Sequence, residues 1–382
     1  LKASLKRLKI LYISHLHPPV NQPLKSVGGM QNVSMQLVEA LNKRDDVDLH
    51  TIIQRVPWEK IGFSTTVFLF RLLVLIPRAI RRHRPDVILF SSMVTAGVAP
   101  FISPGIKIPM VTINHGQDVT LPFWIYQKYL PTVFKKLQGV ISVSKATRKA
   151  CIERGMEPGL GVALPNGLDS RKTVNLSEKK IAKLKLSDHF GIRNEPGRYL
   201  LLTVGRQVKR KGHYWFIREV LPRLKHKVDY LVVGDGPEFE NINQEAEESP
   251  YRDSIFLAGK QPQEMLELAY SGSDLFVMPN IPVEGDMEGF GIVLLEANQA
   301  GVPAVAADLE GIRDVIEQGV NGYRVPHSDP VIFAQKIDEV LGTELNHLSE
   351  SARKFVISRF SWDTVVKDYV NFLREVCSRE NR

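Results

Sequence analysis

The chain has 382 residues, long enough for two domains. Its residues are 43% hydrophobic and 24% charged, which excludes a disordered, collagenous or coiled-coil chain. Two cysteines, Cys151 and Cys377, supply neither a disulfide framework nor a cysteine-based zinc site, and they fit a reducing, cytoplasmic setting. A formal net charge of +8 points to an anionic partner: a nucleotide, a nucleic acid or an acidic membrane surface.

In chain order, short apolar runs alternate with amphipathic helical stretches, the pattern of a parallel sheet covered by helices. Strands are expected at 8–14, 49–53, 87–90, 110–114, 140–143 and 161–164. Between the first two, Met30, Val33, Leu37, Ala40 and Leu41 share one face of a helix over 30–43. The N-terminal residues do not read as a secretory signal, because the apolar run Ile10 to Ile13 has only a strand's length. The longest apolar stretch, Thr65 to Ile80, is interrupted by Arg71, Pro77 and Arg78 and reads as too short and too charged to span a bilayer. With Arg81, Arg82 and Arg84, the segment 63–84 has two readings. One is a helix lying on an anionic membrane, for peripheral contact at the inner membrane face. The other is a buried helix whose basic C-terminus suits its dipole.

Residues 171–198 are polar and lysine-rich with one helix, and read as a linker. Beyond it the pattern restarts, with strands at 199–204, 230–233, 255–257, 275–278 and 304–306. Ser361 stands ready to cap a terminal helix whose face carries Trp362, Val365, Val366, Tyr369, Phe372 and Leu373. The expected architecture is α/β, two doubly wound Rossmann-like domains facing a central cleft. Their expected extents are 1–170, then the linker 171–198, 199–358, and a terminal helix 359–382. Ligands of such folds bind beyond the carboxyl ends of the strands.

Four constellations fall at those ends. Gly28-Gly29 opens the first helix, where backbone N–H groups can approach an anion. His115 follows the strand Met110–Asn114. Arg206 offers a planar fork and Lys211 a point charge, which together suit a diphosphate. The run Glu288-Gly289-Phe290-Gly291-Ile292-Val293-Leu294-Leu295-Glu296 places two carboxylates about two helical turns apart, with free amides between them. A D-x-D-like string, Asp46-Val47-Asp48, sits in the turn before a strand and reads as a solvated turn. Nucleic acid is not an expected partner, since the charge comes with no aromatic platform or recognised motif.

Taken with Ser142-Val143-Ser144, Pro165-Asn166-Gly167-Leu168-Asp169, Gly234-Asp235-Gly236-Pro237, Gly301-Val302-Pro303, Asn321-Gly322 and Phe360-Ser361-Trp362, these residues resemble a retaining GT-B glycosyltransferase of family four. The resemblance covers nearly the whole chain. It implies that Gly28, Gly29, Arg206 and Lys211 meet the donor phosphates. Glu288 would contact sugar hydroxyls, the amides of Phe290, Gly291 and Ile292 the phosphate, and Glu296 the ribose, with Gly289 also among the donor-binding residues. His115 would lie near the anomeric carbon. Glu288, His115, Arg206 and Lys211 are the residues expected to carry the reaction.

The family further implies that the terminal helix crosses back to the N-terminal domain. The implied activity is transfer of a hexose from a UDP- or GDP-sugar to a hydroxyl of a glycan or lipid-linked acceptor, in envelope polysaccharide or glycolipid synthesis. Neither metal nor cofactor is expected beyond the nucleoside diphosphate sugar itself. His115 occupies the position where a carboxylate nucleophile would stand, so retention is expected through same-face attack. Two departures mark the chain. The paired glycines usual after Gly301-Val302-Pro303 are here Glu310-Gly311, and Asn280 to Met287 reads as an insertion. Rival readings are a non-catalytic nucleotide-sugar-binding protein and a GT-B epimerase. A phosphorylase lacks an identifiable pyridoxal-binding lysine. A dehydrogenase lacks the full G-x-G-x-x-G, since Gly236 is followed by Pro237, Glu238 and Phe239.

Overall fold

The computed structural model describes residues 6–19, 29–56, 61–169 and 176–380. The chain divides into two units, residues 1–169 with 360–382, and residues 170–359. Each is built on one six-stranded sheet whose neighbouring strands all pair in parallel.

In unit 1 the strands are β1 (Leu8–His17), β2 (Val47–Arg55), β3 (Val87–Phe90), β4 (Met110–Asn114), β5 (Gly139–Ser142) and β6 (Gly161–Ala163), in the order β2-β1-β3-β4-β5-β6. The chain builds outward from β1 to one side, then returns and builds to the other through β3. The strand order therefore reverses between β1 and β3, and the loops after these two strands diverge there. A sheet covered on both faces needs apolar residues at successive positions, and all four residues of β3 are buried.

The terminal helix Trp362–Glu380 belongs to this unit. Trp362, Val365, Val366, Tyr369, Val370, Leu373 and Val376 are buried, each worth about 1.5–3 kcal/mol as apolar burial. The Trp362 indole N–H donates to Gln36 Oε1 at 2.7 Å, fixing the helix against the first helix, Gly29–Asn42. A side chain added at Gly167 would lie 2.3 Å from the Trp362 ring, which gives the Asn166-Gly167 turn its packing reason.

Unit 2 holds β7 (Arg198–Val204), β8 (Lys227–Val233), β9 (Ile255–Gly259), β10 (Leu275–Met278), β11 (Ala304–Ala307) and β12 (Gly322–Val325), in the order β12-β11-β10-β7-β8-β9. Here the reversal falls between β7 and β10. Strand β12 was not expected. Its four residues are short of a clear run, and its two central side chains are only half buried on the sheet edge.

The stretch expected as a linker is part of this unit. The helix Leu176–Phe190 buries Ala182 and Leu186 against the helix Gln263–Gly272, and a side chain at Gly272 would meet Leu186 Cδ1 at 2.7 Å. Lys179 and Lys183 pair with Asp274 at 3.2 and 2.9 Å. The lysines that suggested a solvated connector thus tie the helix to the start of β10.

The apolar stretch after β2 forms one helix, Ile61–His83, of 23 residues with Pro77 inside. By length and composition this helix is long and apolar enough to cross a membrane, which corrects the expectation that the stretch is too short and too charged. It is nonetheless packed into unit 1: Phe68, Leu72 and Ile76 are buried in the core with Phe90, Met93 and Ala96. Asp46, from the D-x-D-like string, is held in ion pairs with Arg44 at 2.8 Å and with Arg374 at 3.2 Å.

Candidate functional site

The reversal between β7 and β10 concentrates the unit 2 candidates. After β7, Gly205 and Arg206 lead into a short 3-10 turn, Lys209–Lys211, closed by Gly212. Gly212 has φ 68°, and a Cβ there would fall 1.9 Å from the Pro279 carbonyl oxygen. No other residue type allows this approach of the β7 and β10 loops. The Ile281 N–H donates to the Arg210 carbonyl at 2.9 Å, so the two loops are also stitched through their backbones.

Glu288 lies where the loops meet. Its Oε2 accepts from Lys211 Nζ at 2.6 Å, Arg210 Nη1 at 2.7 Å and Asn280 Nδ2 at 3.1 Å. Arg210 also reaches Asp286 Oδ1 through Nε at 2.9 Å. Glu288 is 8% exposed and Lys211 6%. Burial alone would push the Glu288 carboxyl up, but the adjacent Lys211 and Arg210 charges override it and hold the pKa at about 2. The Glu288 N–H donates to the Glu310 carboxylate. Glu310, with φ 43°, and Gly311 stand in place of the usual glycine pair. A Cβ at Gly311 would lie 2.2 Å from the Gly289 carbonyl oxygen, so the second glycine keeps its steric reason while the first position has become a carboxylate bracing Glu288.

Gly291, with φ 84°, begins the helix Ile292–Gln299, and no side chain caps that end. Its first-turn amides suit an anion. Glu296 sits one turn inside this helix, because only the residues from Ile292 onward are helical; the expected two turns from Glu288 shorten accordingly. Glu296 is not part of the Glu288 cluster. Its Oε2 accepts from the buried Tyr270 hydroxyl at 2.7 Å, and burial raises its pKa.

Arg206 is exposed, and its guanidinium has no ion-pair partner among the described residues. The expected Arg206–Lys211 pair is thus unequal: Lys211 is committed to Glu288 while Arg206 stands open. The Gly234-Asp235-Gly236 loop packs on the same turn, with the Gln207 N–H donating to the Asp235 carbonyl at 2.9 Å. Gln207 Oε1, Asn280 Oδ1 and both ring nitrogens of His213 are buried around this turn with no hydrogen-bond partner.

Unit 1 has its own set. His115 follows β4; its N–H donates to Asp118 Oδ1 at 2.8 Å and its Nε2 lies 2.9 Å from the Ser91 carbonyl at the end of β3. Asp118 also accepts from the Met93 N–H at 2.9 Å, joining the β3 and β4 ends. Gly29 is exposed at the start of its helix, whereas Gly28 lies outside the described residues.

Sequence reasoning passed over His15, which is buried on β1 with Nδ1 unpartnered. Burial, with a lesser push from His115, lowers its pKa to about 4 and keeps the ring neutral. It also missed Arg210 and Tyr270, and it noted Glu310 only as a departure from the usual glycine, without a role. Of these, Arg210 carried a signal, since Lys209-Arg210-Lys211 precedes a glycine at a strand end. Among the described residues, no group of three His, Cys, Asp or Glu side chains is arranged to hold a metal ion.

The family model described as Glycosyltransferase Family 4 matches residues 27–172, and that described as Glycosyl transferases group 1 matches residues 185–355. An uncharacterized glycosyltransferase of Methanocaldococcus jannaschii is 27% identical over 61% of this chain and 58% of its own. A GDP-mannose-dependent alpha-(1-6)-phosphatidylinositol monomannoside mannosyltransferase of Mycobacterium tuberculosis is 27% identical over 55% of each chain. The chain therefore spans a little over half the length of the curated relatives it matches. HepE of Anabaena, solved with UDP and glucose, superposes with a TM-score of 0.72 at 18% identity, covering 97% of this chain and all of the other, a likeness of fold. Two parallel-sheet Rossmann-like units, together with two family models that take in most of the sequence, make the chain a member of the GT-B glycosyltransferases of family four.

Proposed function

We propose that the chain transfers a hexose from a UDP- or GDP-linked donor to a hydroxyl of a glycan or glycolipid acceptor, with retention at the anomeric carbon and without a metal. The observation that carries this reading is the arrangement at the β7/β10 reversal. A buried Lys211 paired with Glu288 and an uncapped helix end three residues further on at Gly291 meet there, and Arg206 is exposed on the same loop after β7.

Breaking the bond between the anomeric carbon and the phosphate oxygen leaves an electron pair on the nucleoside diphosphate. Arg206, Lys211 and the Gly291 and Ile292 amides supply positive charge for that oxygen in place of a metal. The acceptor oxygen bonds to the same face of the anomeric carbon, and its proton passes to the departing phosphate oxygen. Glu288, ionised at every working pH, is the acceptor for hydrogen bonds from sugar hydroxyls. Both UDP and GDP remain in the proposal: the Anabaena protein was solved with UDP, and the mycobacterial relative is named for GDP-mannose.

The test is transfer in excess EDTA with the product's anomeric configuration read by NMR. Undiminished transfer and a retained configuration support the reading; an inverted product or loss of activity restored by a divalent ion overturns it.

A further inference from the structure

The helix Ile61–His83 has one face in the unit 1 core and another that no described residue covers. Phe63, Val67, Phe70 and Val74 are 82%, 43%, 70% and 48% exposed. At 100° per residue these four fall within about 60° of one another, opposite Phe68, Leu72 and Ile76. They form a stripe about 17 Å long at 1.5 Å per residue. Single exposed apolar residues need no explanation, but four in line on one helix form a patch.

Charge is distributed on the same helix in one sense only. From residue 61 to 84 there are five arginines and no acidic residue. Arg81 continues the line of the stripe, and Arg71, Arg78 and Arg82 flank it on one side at the same helical spacing; all four are exposed. An apolar stripe with a basic end and a basic flank matches the acyl boundary and headgroups of an anionic bilayer, with the helix lying in the plane of the membrane. A second copy of this face would set arginine against arginine. Crossing the membrane is opposed by Phe68, Leu72 and Ile76, which the helix would have to withdraw from the unit 1 core. The neighbouring short helix Ala99–Ile102 adds an exposed Phe101.

We propose that this face docks unit 1 on an anionic membrane surface, with Phe63, Val67, Phe70 and Val74 in the interface and the arginines on the headgroups. The inference uses unit 1 alone and does not depend on the donor or the reaction, so its failure and that of the proposed function are read separately.

The test is flotation of the full chain with phosphatidylcholine vesicles containing or lacking 30% phosphatidylglycerol. Binding is expected to the anionic vesicles, to fall with added salt, and to be released by alkaline carbonate. Phe63→Ser with Phe70→Ser should weaken it roughly tenfold or more. Arg78→Ala with Arg81→Ala and Arg82→Ala should weaken it on the order of 100-fold. Since all five side chains are exposed, unchanged thermal melting and unchanged nucleoside diphosphate binding separate lost docking from lost folding. No flotation with anionic vesicles, equal flotation of the serine variant, or retention through the carbonate wash overturns the proposal. So does a concentration-dependent dimer that the serine variant abolishes, which would assign the face to a second copy.

Discussion

Replacing Glu288 by glutamine removes one negative charge from a buried site and leaves Lys211 and Arg210 facing each other without it. The carboxyl sits at about 2 instead of its ordinary 4.5, a difference worth about 3 kcal/mol at neutral pH. That agrees with the about 3–5 kcal/mol typical of breaking a buried pair from one side. The pKa is depressed in the fold, so the stabilisation is complete above pH 4.5 and is lost as pH falls toward 2. At pH 3 about half of it should remain. The assay is urea unfolding of wild type and Glu288→Gln at pH 7 and pH 3, followed by tryptophan fluorescence, to which Trp215 is the one contributor between residues 170 and 359. A difference of about 3 kcal/mol that halves at pH 3 is expected. A difference below about 1 kcal/mol at pH 7, or one of equal size at both pH values, would refute the charge argument, because a neutral packing role has no such pH dependence. The variant should also lose transfer.

Arg206→Ala with Lys211→Ala should weaken donor and free nucleoside diphosphate alike, by on the order of 10²-fold or more for two charge-assisted contacts; calorimetry showing unchanged diphosphate affinity would remove both from the phosphate site. Gly212→Ala must either displace the Pro279 carbonyl or leave φ 68°. It should destabilise unit 2 by about 2 kcal/mol or more and loosen the Glu288 cluster, and a variant melting like wild type would show that the loops yield easily.

Most of the sheet architecture was legible because buried parallel strands leave continuous apolar runs. Leu275–Met278 and Val87–Phe90 are found where the sequence places them. Strand β12 left no such run, because it is an edge strand with half-exposed central residues. The candidate site was legible to the level of its loops, since those loops follow strands and carry glycines. What joined them was not. Arg210 and Glu288 are separated by 78 positions, and Tyr270 and Glu296 by 26. Pairings of that kind depend on which strands become neighbours. The lysines of 176–190 misled for the same reason: their partner, Asp274, is 91 positions away from Lys183. The segment 63–84 reads from the sequence as either buried or membrane-facing, and its helix does the first with one face and exposes the other.

The most direct test of the nucleotide-sugar assignment is calorimetric titration of the full chain with UDP, GDP, ADP and their common sugars, in EDTA throughout. One nucleoside diphosphate should bind selectively with a stoichiometry of one and without metal, its sugar conjugate competing for the same site. Absence of binding to all of them, or binding that appears only when a divalent ion replaces EDTA, would contradict the account.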